Sequence, residues 1–153
     1  MHRKDKEITD ISEMESVIKS AEICRIGLCD GDMPYVVPVN FGYREMKVYV
    51  HCAIKGRKLD IIAANSNVCV EFETGYELER KGDIACDWGA KYKSVIGFGT
   101  AELVEDTEEK LEALKILMAH YDSREFVFTE KETSKVAIIK ISLSEITGKK
   151  AHY

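Results

Sequence analysis

The sequence is short of the features that would tie it to a membrane, a nucleic acid or an oxidising compartment. It has no apolar run near the ~20 residues that cross a bilayer. Its opening Met1-His2-Arg3-Lys4-Asp5-Lys6-Glu7 lacks the apolar stretch of a signal peptide. A cytoplasmic location with no membrane partner is therefore expected. Basic residues are in deficit, 22 Lys and Arg against 27 Asp and Glu for a net charge of −5. That balance argues against a surface tracking the phosphates of DNA or RNA, so any basic cluster must be local. The five cysteines (Cys24, Cys29, Cys52, Cys69, Cys86) are odd in number and contain no Cys-x-x-Cys pair, which suits reduced thiols better than a disulfide framework. Zinc is a poor reading as well, because His51 and Cys52 are strand neighbours that point to opposite faces. Prolines number only two, and both fall in or beside one expected strand.

What is present is the material of one domain: 153 residues, 45% apolar and 32% charged, enough for one ordinary core. Ile11, Met14, Ile18 and Ala21 recur at helical spacing behind a capping box of Asp10 and Glu13, predicting a helix over 11–21. Residues 23–29, a turn at Asp30-Gly31-Asp32, and residues 35–43 read as a hairpin. A tight return at 44–46 leads into a strand over 47–52. A short helix over 56–65 follows, ended by Asn65-Ser66-Asn67, then a strand over 68–74. Residues 75–90 hold three glycines and the single tryptophan, Trp88; they resist assignment and form a candidate functional loop. Residues 91–104 read as a strand bent at Gly97 or Gly99, 107–121 as the clearest helix, and 136–144 as the last strand. Six strands with helices at the periphery predict a mainly β fold, a closed or nearly closed antiparallel barrel.

The chemistry concentrates in His51-Cys52-Ala53-Ile54-Lys55-Gly56-Arg57-Lys58, which leaves a strand and enters a helix. Lys55, Arg57 and Lys58 gather where the helix already carries partial positive charge, an arrangement that a bound anion would relieve. Free N–H groups after Gly56 would join them on a phosphate. The competing reading is a solvated basic turn. Gly97-Phe98-Gly99 lies inside a strand and is no dinucleotide fingerprint. Cys52 lacks a His-Asp or His-Asn partner set, so packing accounts for it better than nucleophilic catalysis. Tyr35, Tyr43, Tyr49 and Tyr92 serve equally as core, interface or stacking residues.

Three blocks resemble the nitroimidazole-reductase (Nim) branch of the pyridoxamine 5′-phosphate oxidase-like flavoproteins. They are Pro34-Tyr35-Val36-Val37-Pro38-Val39-Asn40-Phe41-Gly42-Tyr43, Val48-Tyr49-Val50-His51-Cys52-Ala53 with Gly56-Arg57-Lys58, and Tyr92-Lys93-Ser94-Val95-Ile96-Gly97-Phe98-Gly99-Thr100-Ala101. Glu145-Ile146-Thr147-Gly148-Lys149 is similar too, so the likeness runs in order along nearly the whole chain. The resemblance implies a six-stranded antiparallel split β-barrel that binds FMN as a homodimer, with two flavin sites at the subunit interface. It implies that Val37, Pro38, Val39 and Asn40 line the ring and ribityl chain, with His51, Cys52 and Ala53 beside them. Lys55, Arg57 and Lys58 would hold the flavin phosphate, and Ser94 and Val95 would contribute a further strand. His51 takes the matching active-site position, and a partner's Trp88 is a candidate cover for the ring.

The function so implied is an FMN-dependent reductase passing electrons from a reduced donor to a small organic acceptor, nitroimidazoles among them. Pyridoxamine phosphate oxidation fits less well: that family's additional Trp and Arg segment has no counterpart in Gly148-Lys149-Lys150-Ala151-His152-Tyr153. Two rivals remain. One is a non-catalytic flavin carrier or redox sensor; the other is a haem-binding split barrel with His51 or His120 as axial ligand. A larger flavin or a deazaflavin in place of FMN is also left open.

Overall fold

In the computed structural model, which describes residues 4–153, the sheet holds eight strands where six were expected. They are β1 (Glu7–Ile8), β2 (Cys24–Asp30), β3 (Met33–Val39), β4 (Gly42–Arg44), β5 (Lys47–Cys52), β6 (Asn67–Glu79), β7 (Gly89–Leu103) and β8 (Ala137–Ala151). One addition is β1. The other arises because the strand expected over 35–43 breaks at Asn40-Phe41 into β3 and β4. All pairings are antiparallel, in the order β3-β2-β6-β7-β8-β5-β4, with β1 also paired to β8. The two ends of that order, β3 and β4, are joined by only two residues, yet they do not pair. The sheet therefore curls on itself and stays open: a split barrel rather than a closed one.

Alternation fills the inside. Ile26 on β2, Val70 and Phe72 on β6, Val95 on β7, Val50 on β5 and Ile139 and Ile141 on β8 are fully buried. Helices α1 (Ile11–Ser20) and α2 (Arg57–Ala64) add Met14, Val17, Ile18, Leu59, Ile61 and Ile62 to the same core. Side chains alternate along β5, so Val48 and Val50 face this core. Tyr49 faces a second, smaller cluster under α3 (Thr107–Tyr121) with Val104, Leu114, Ile116 and Ile138. A short α4 (Glu130–Thr133), set by a capping box of Thr129 and Glu132, was not expected from the sequence. The bend foreseen in the long strand is a register slip between Phe98 and Gly99 of β7. Among the described residues no helix is long and apolar enough to cross a membrane, and all five cysteines are free.

The capping box expected at α1 does not form. Asp10 caps the Ser12 N–H at 3.0 Å, but Glu13 turns away to accept from Lys93 at 3.1 Å and Lys150 at 3.0 Å. These bonds, Lys150's first, hold the Glu13 carboxyl below its ordinary value of 4.5. A folded value below the unfolded one gives stability that is complete above the ordinary range and lost as pH falls through the folded value. Glu13→Gln should therefore flatten the acid limb of a plot of urea midpoint against pH below about 4.5.

The return between β4 and β5 places two non-glycine residues, Glu45 (φ 51°) and Met46 (φ 62°), in the left-handed region. Two-residue hairpins of this twist favour Asn-Gly for that reason. Met46 is anchored, its N–H donating to the Tyr43 hydroxyl at 3.3 Å, whereas Glu45 is exposed. Glu45→Asn is expected to raise stability by roughly 0.5 kcal/mol in urea unfolding, since Asn tolerates this conformation better.

Candidate functional site

The open side of the sheet positions the site. β3 is an end strand, so one row of its backbone N–H and C=O groups has no strand partner. β5 pairs with β4 only through Lys47, Val48 and Tyr49, which leaves Val50, His51 and Cys52 unpaired on that side. Both candidate strand segments therefore border the split. Along β3 the side chains of Val37 and Val39 pack inward on the core, while Pro38 is exposed, as is Asn40 just beyond the strand. Along β5, Cys52 packs against the core and His51 is exposed on the opposite face, the face that carries Tyr49. Ala53, Ile54, Lys55, Gly56 and Arg57 are exposed.

The basic junction crosses from one border to the other. Gly56 is the N-cap of α2, with no capping side chain and nothing within 4 Å of the space a Cβ would fill. In the first turn the Leu59 and Asp60 N–H groups donate to the Gly56 carbonyl at 2.9 and 3.3 Å, which leaves those of Arg57 and Lys58 as the donors a helix start offers to an anion. Arg57 swings toward the β2–β3 hairpin: its guanidinium carbon lies 4.7 Å from the centre of the Tyr35 ring. Its Nε and Nη2 donate to Asp30 Oδ2 at 3.1 and 2.9 Å. Lys58 points elsewhere, near enough to Cys24 and Cys52 to draw down the pKa of both thiols. Burial outweighs it at each: Cys24 is pushed up to about 12, and Cys52 is also raised. Cys52 is thus a neutral thiol at physiological pH, in keeping with a packing role. Lys55 makes no ion pair among the described residues.

These residues suit a phosphate-bearing ligand laid along the split. Uncapped helix N–H groups and three cations lie at one end, and free strand edges run beside them. The third block falls elsewhere. Ser94 sits on the outer face of β7, opposite Glu73 of β6 and Lys149 of β8. It is three strands from β3, about 14 Å at ordinary strand spacing. Val95 points into the core and is fully buried, so it offers an outside ligand nothing but backbone. Between Ser94 and Pro38 the outer face carries Arg25, the register partner of Pro38, bonded to Glu71 at 2.9 Å. A cavity of about 270 Å³ beside it is lined by Ile23, Arg25, Glu73 and Tyr76.

Two other sequence candidates are engaged by contacts of their own. Trp88 donates Nε1–H to the Gly82 carbonyl at 3.1 Å and stacks under Arg80, so it is tied within its own loop. His120 is half-buried, its Nε2 is 2.7 Å from the Ala21 carbonyl, and its ring centre is 4.3 Å from that of Phe41. A carbonyl accepts only, so Nε2 carries the proton and the ring's lone pair is on Nδ1. Among the described residues no cluster of three or more His, Cys, Asp or Glu is placed to hold a metal. The Asp30 and Tyr35 contacts with Arg57 were missed in the sequence. They join Arg57 to residues 27 and 22 positions earlier in the chain, and only the hairpin's return brings them together.

Comparison with known proteins places this geometry. A family model described as pyridoxamine 5′-phosphate oxidase matches residues 10–150. A candidate 5-nitroimidazole antibiotic resistance protein from Bacteroides thetaiotaomicron superposes with a TM-score of 0.84 at 35% identity, over 94% of this chain and 85% of its own. A flavocytochrome from Azotobacter vinelandii shares the fold with a TM-score of 0.84 at 20% identity, over 100% of this chain and 72% of its own. An FAD and haem binding protein from Mycobacterium smegmatis does so with a TM-score of 0.82 at 17% identity, over 97% of this chain and 74% of its own. No curated protein matches the chain. The family model covers nearly the whole sequence, and the Bacteroides relative carries the likeness into its nitroimidazole-resistance branch: the chain belongs to the pyridoxamine 5′-phosphate oxidase family.

Proposed function

We propose that the chain is one FMN-binding domain that works as a cytoplasmic homodimer. In this reading it is a reductase, passing electrons from a reduced donor to a small organic acceptor such as a nitroimidazole. The observation that carries the reading is the contact of Arg57 with Tyr35, which sets the cations of the β5–α2 junction against the open edge of β3. The Bacteroides relative, described by its resistance to 5-nitroimidazoles, supports the acceptor class. The flavocytochrome and the FAD and haem binding protein that share the fold support a flavin as the cofactor class.

When bound, the flavin supplies the electron chemistry. The chain's own residues hold and orient it. Arg57, Lys58 and the first N–H groups of α2 take the phosphate, and the free backbone edge at Val37, Pro38, Val39 and Asn40 receives the ring and ribityl chain. Cys52 and Ala53 pack beside it, and Lys55 adds to the positive field. His51, exposed at the split, offers an imidazole N–H to the acceptor. Ser94, with the backbone of Val95, lies too far across the sheet to reach the same ring and reaches it from a second copy. Ile96 and Phe98, exposed on the same outer face of β7, are the apolar surface that a second copy covers.

The test is to purify the protein, identify the bound chromophore, and assay a reduced nicotinamide with nitro compounds. Flavin absorbance with turnover is expected. Flavin binding without oxidation of any reduced nicotinamide or reduction of any nitro compound leaves a carrier or sensor and removes the enzyme. A Soret band in place of flavin bands removes the cofactor assignment itself. Within the enzyme, His51→Asn should lower kcat by roughly 100-fold, the modest end for a proton donor because His51 is exposed. FMN affinity should stay within about threefold, because the change leaves the phosphate contacts in place.

A further inference from the structure

We propose that Asp30 is a resident counter-ion that competes with the phosphate of the flavin for Arg57, and so sets how strongly the site prefers a phosphorylated flavin to an unphosphorylated one. The proposal rests on the phosphate reading above and adds its regulation. Arg57 opens α2, where the helix dipole repels a cation. It is provided for from outside the helix: Asp30 Oδ2 accepts from both Nε and Nη2 at 3.1 and 2.9 Å, and Tyr35 supports the guanidinium at 4.7 Å. One edge and one face of the guanidinium are thereby used, and the Nη1 edge has no partner among the described residues.

The pair is built to exchange. Arg57 and Asp30 side chains are 60% and 44% exposed, and a carboxylate held at such exposure binds weakly, screened by water and salt. A phosphate dianion arriving at the uncapped helix start offers more charge and more acceptor oxygens, and takes the uncapped N–H groups at the same time. The carboxylate yields, and the bonds it gives up with Arg57 oppose the entry of the phosphate. An unphosphorylated ligand feels no such opposition. Asp32, on the same turn, makes no ion pair among the described residues and provides the control for charge alone.

The experiment compares FMN and riboflavin binding by flavin fluorescence for wild type, Asp30→Asn, Asp30→Ala, Asp32→Asn, Arg57→Ala and the double variant Asp30→Asn/Arg57→Ala. Both Asp30 variants should bind FMN about three- to fivefold more tightly at low salt, the size of one exposed ion pair that no longer has to be given up, with the gain shrinking as salt rises. Riboflavin affinity should move less than about twofold, as should FMN affinity in Asp32→Asn and on adding Asp30→Asn to Arg57→Ala. Weaker or unchanged FMN binding in the Asp30 variants, with wild type still preferring FMN, overturns the competition and makes Asp30 a strut for Arg57. Equal wild-type affinity for FMN and riboflavin overturns the phosphate site itself, and the proposal with it. Asp30 is exposed at the end of β2, and unchanged thermal unfolding in its variants establishes that folding is intact.

Discussion

Changing Arg57 and Lys58 together to alanine is expected to weaken FMN binding by roughly 100-fold or more while leaving riboflavin within about threefold. A hydrogen bond to a charged group contributes about 1.5–3 kcal/mol, and each 1.4 kcal/mol is tenfold in affinity. Two lost contacts to a phosphate thus reach two orders of magnitude at the low end. The fold should not suffer: Arg57's tie to Asp30 is exposed, and pairs of that kind contribute about 0–1 kcal/mol. Measured across salt, the wild-type preference for FMN should decline and the double variant should show little dependence. Full FMN affinity in the double variant would falsify the placing of the phosphate at the start of α2, whatever cofactor the protein carries.

Gly42→Ala should be a severely disruptive single-methyl change. A Cβ at this position would lie 2.6 Å from both Cα and N of Leu117 and 2.7 Å from the carbonyl carbon of Ile116. Those are backbone atoms of α3 and cannot rotate aside, so the helix must lift from β4. Lifting it strains the bond from the Phe41 N–H to the Tyr121 hydroxyl, 3.0 Å long, and loosens the small core around Tyr49, Leu114 and Ile138. Overpacking on this scale costs about 3 kcal/mol, a large share of the roughly 5–15 kcal/mol that hold a domain together. A fall in Tm of roughly 10 °C is expected. Gly42 lies two residues beyond Asn40, so weakened flavin binding should accompany the loss. A Tm within about two degrees of wild type would show that α3 can retreat freely, and that the β4 contact is not what seats it.

Much of this was legible in the residues, and where it was not the reason is physical. Helix α3 has the bounds its sequence announces, because Asp106 caps the Glu109 N–H at 2.8 Å and its apolar face is local. The capping box of α1 was misread because Glu13 finds Lys93 and Lys150, residues 80 and 137 positions away. The loop taken as 75–90 shrinks to nine residues, 80–88, because Glu77 pairs across to Lys91 and Glu79 to Gly89. Those charged and small residues sit in a protruding two-stranded arm where alternation of polarity is not required. Likewise β8 runs on past Ser144 to Ala151 through Thr147, Gly148 and Lys149, polar or small residues whose pairing is supplied by β7 and β1. At the site, the segments bordering the split were visible as motifs. The bridge from Arg57 to Tyr35 and Asp30 was not, since nothing in local pattern says which way an arginine at a helix start will turn.

The position of β8 has a further effect, on the order of assembly. Of the described strands it is the last in the chain to be synthesised, yet it lies between β7 on one edge and both β5 and β1 on the other. Until it emerges from the ribosome, the hairpins made earlier have no common seam, and the apolar flanks meant for Ile138, Ile139 and Ile141 stay wet. A nascent chain halted before residue 137 would therefore be a loose set of hairpins prone to stick to one another, and release of the final strand would be the event that commits it to one shape.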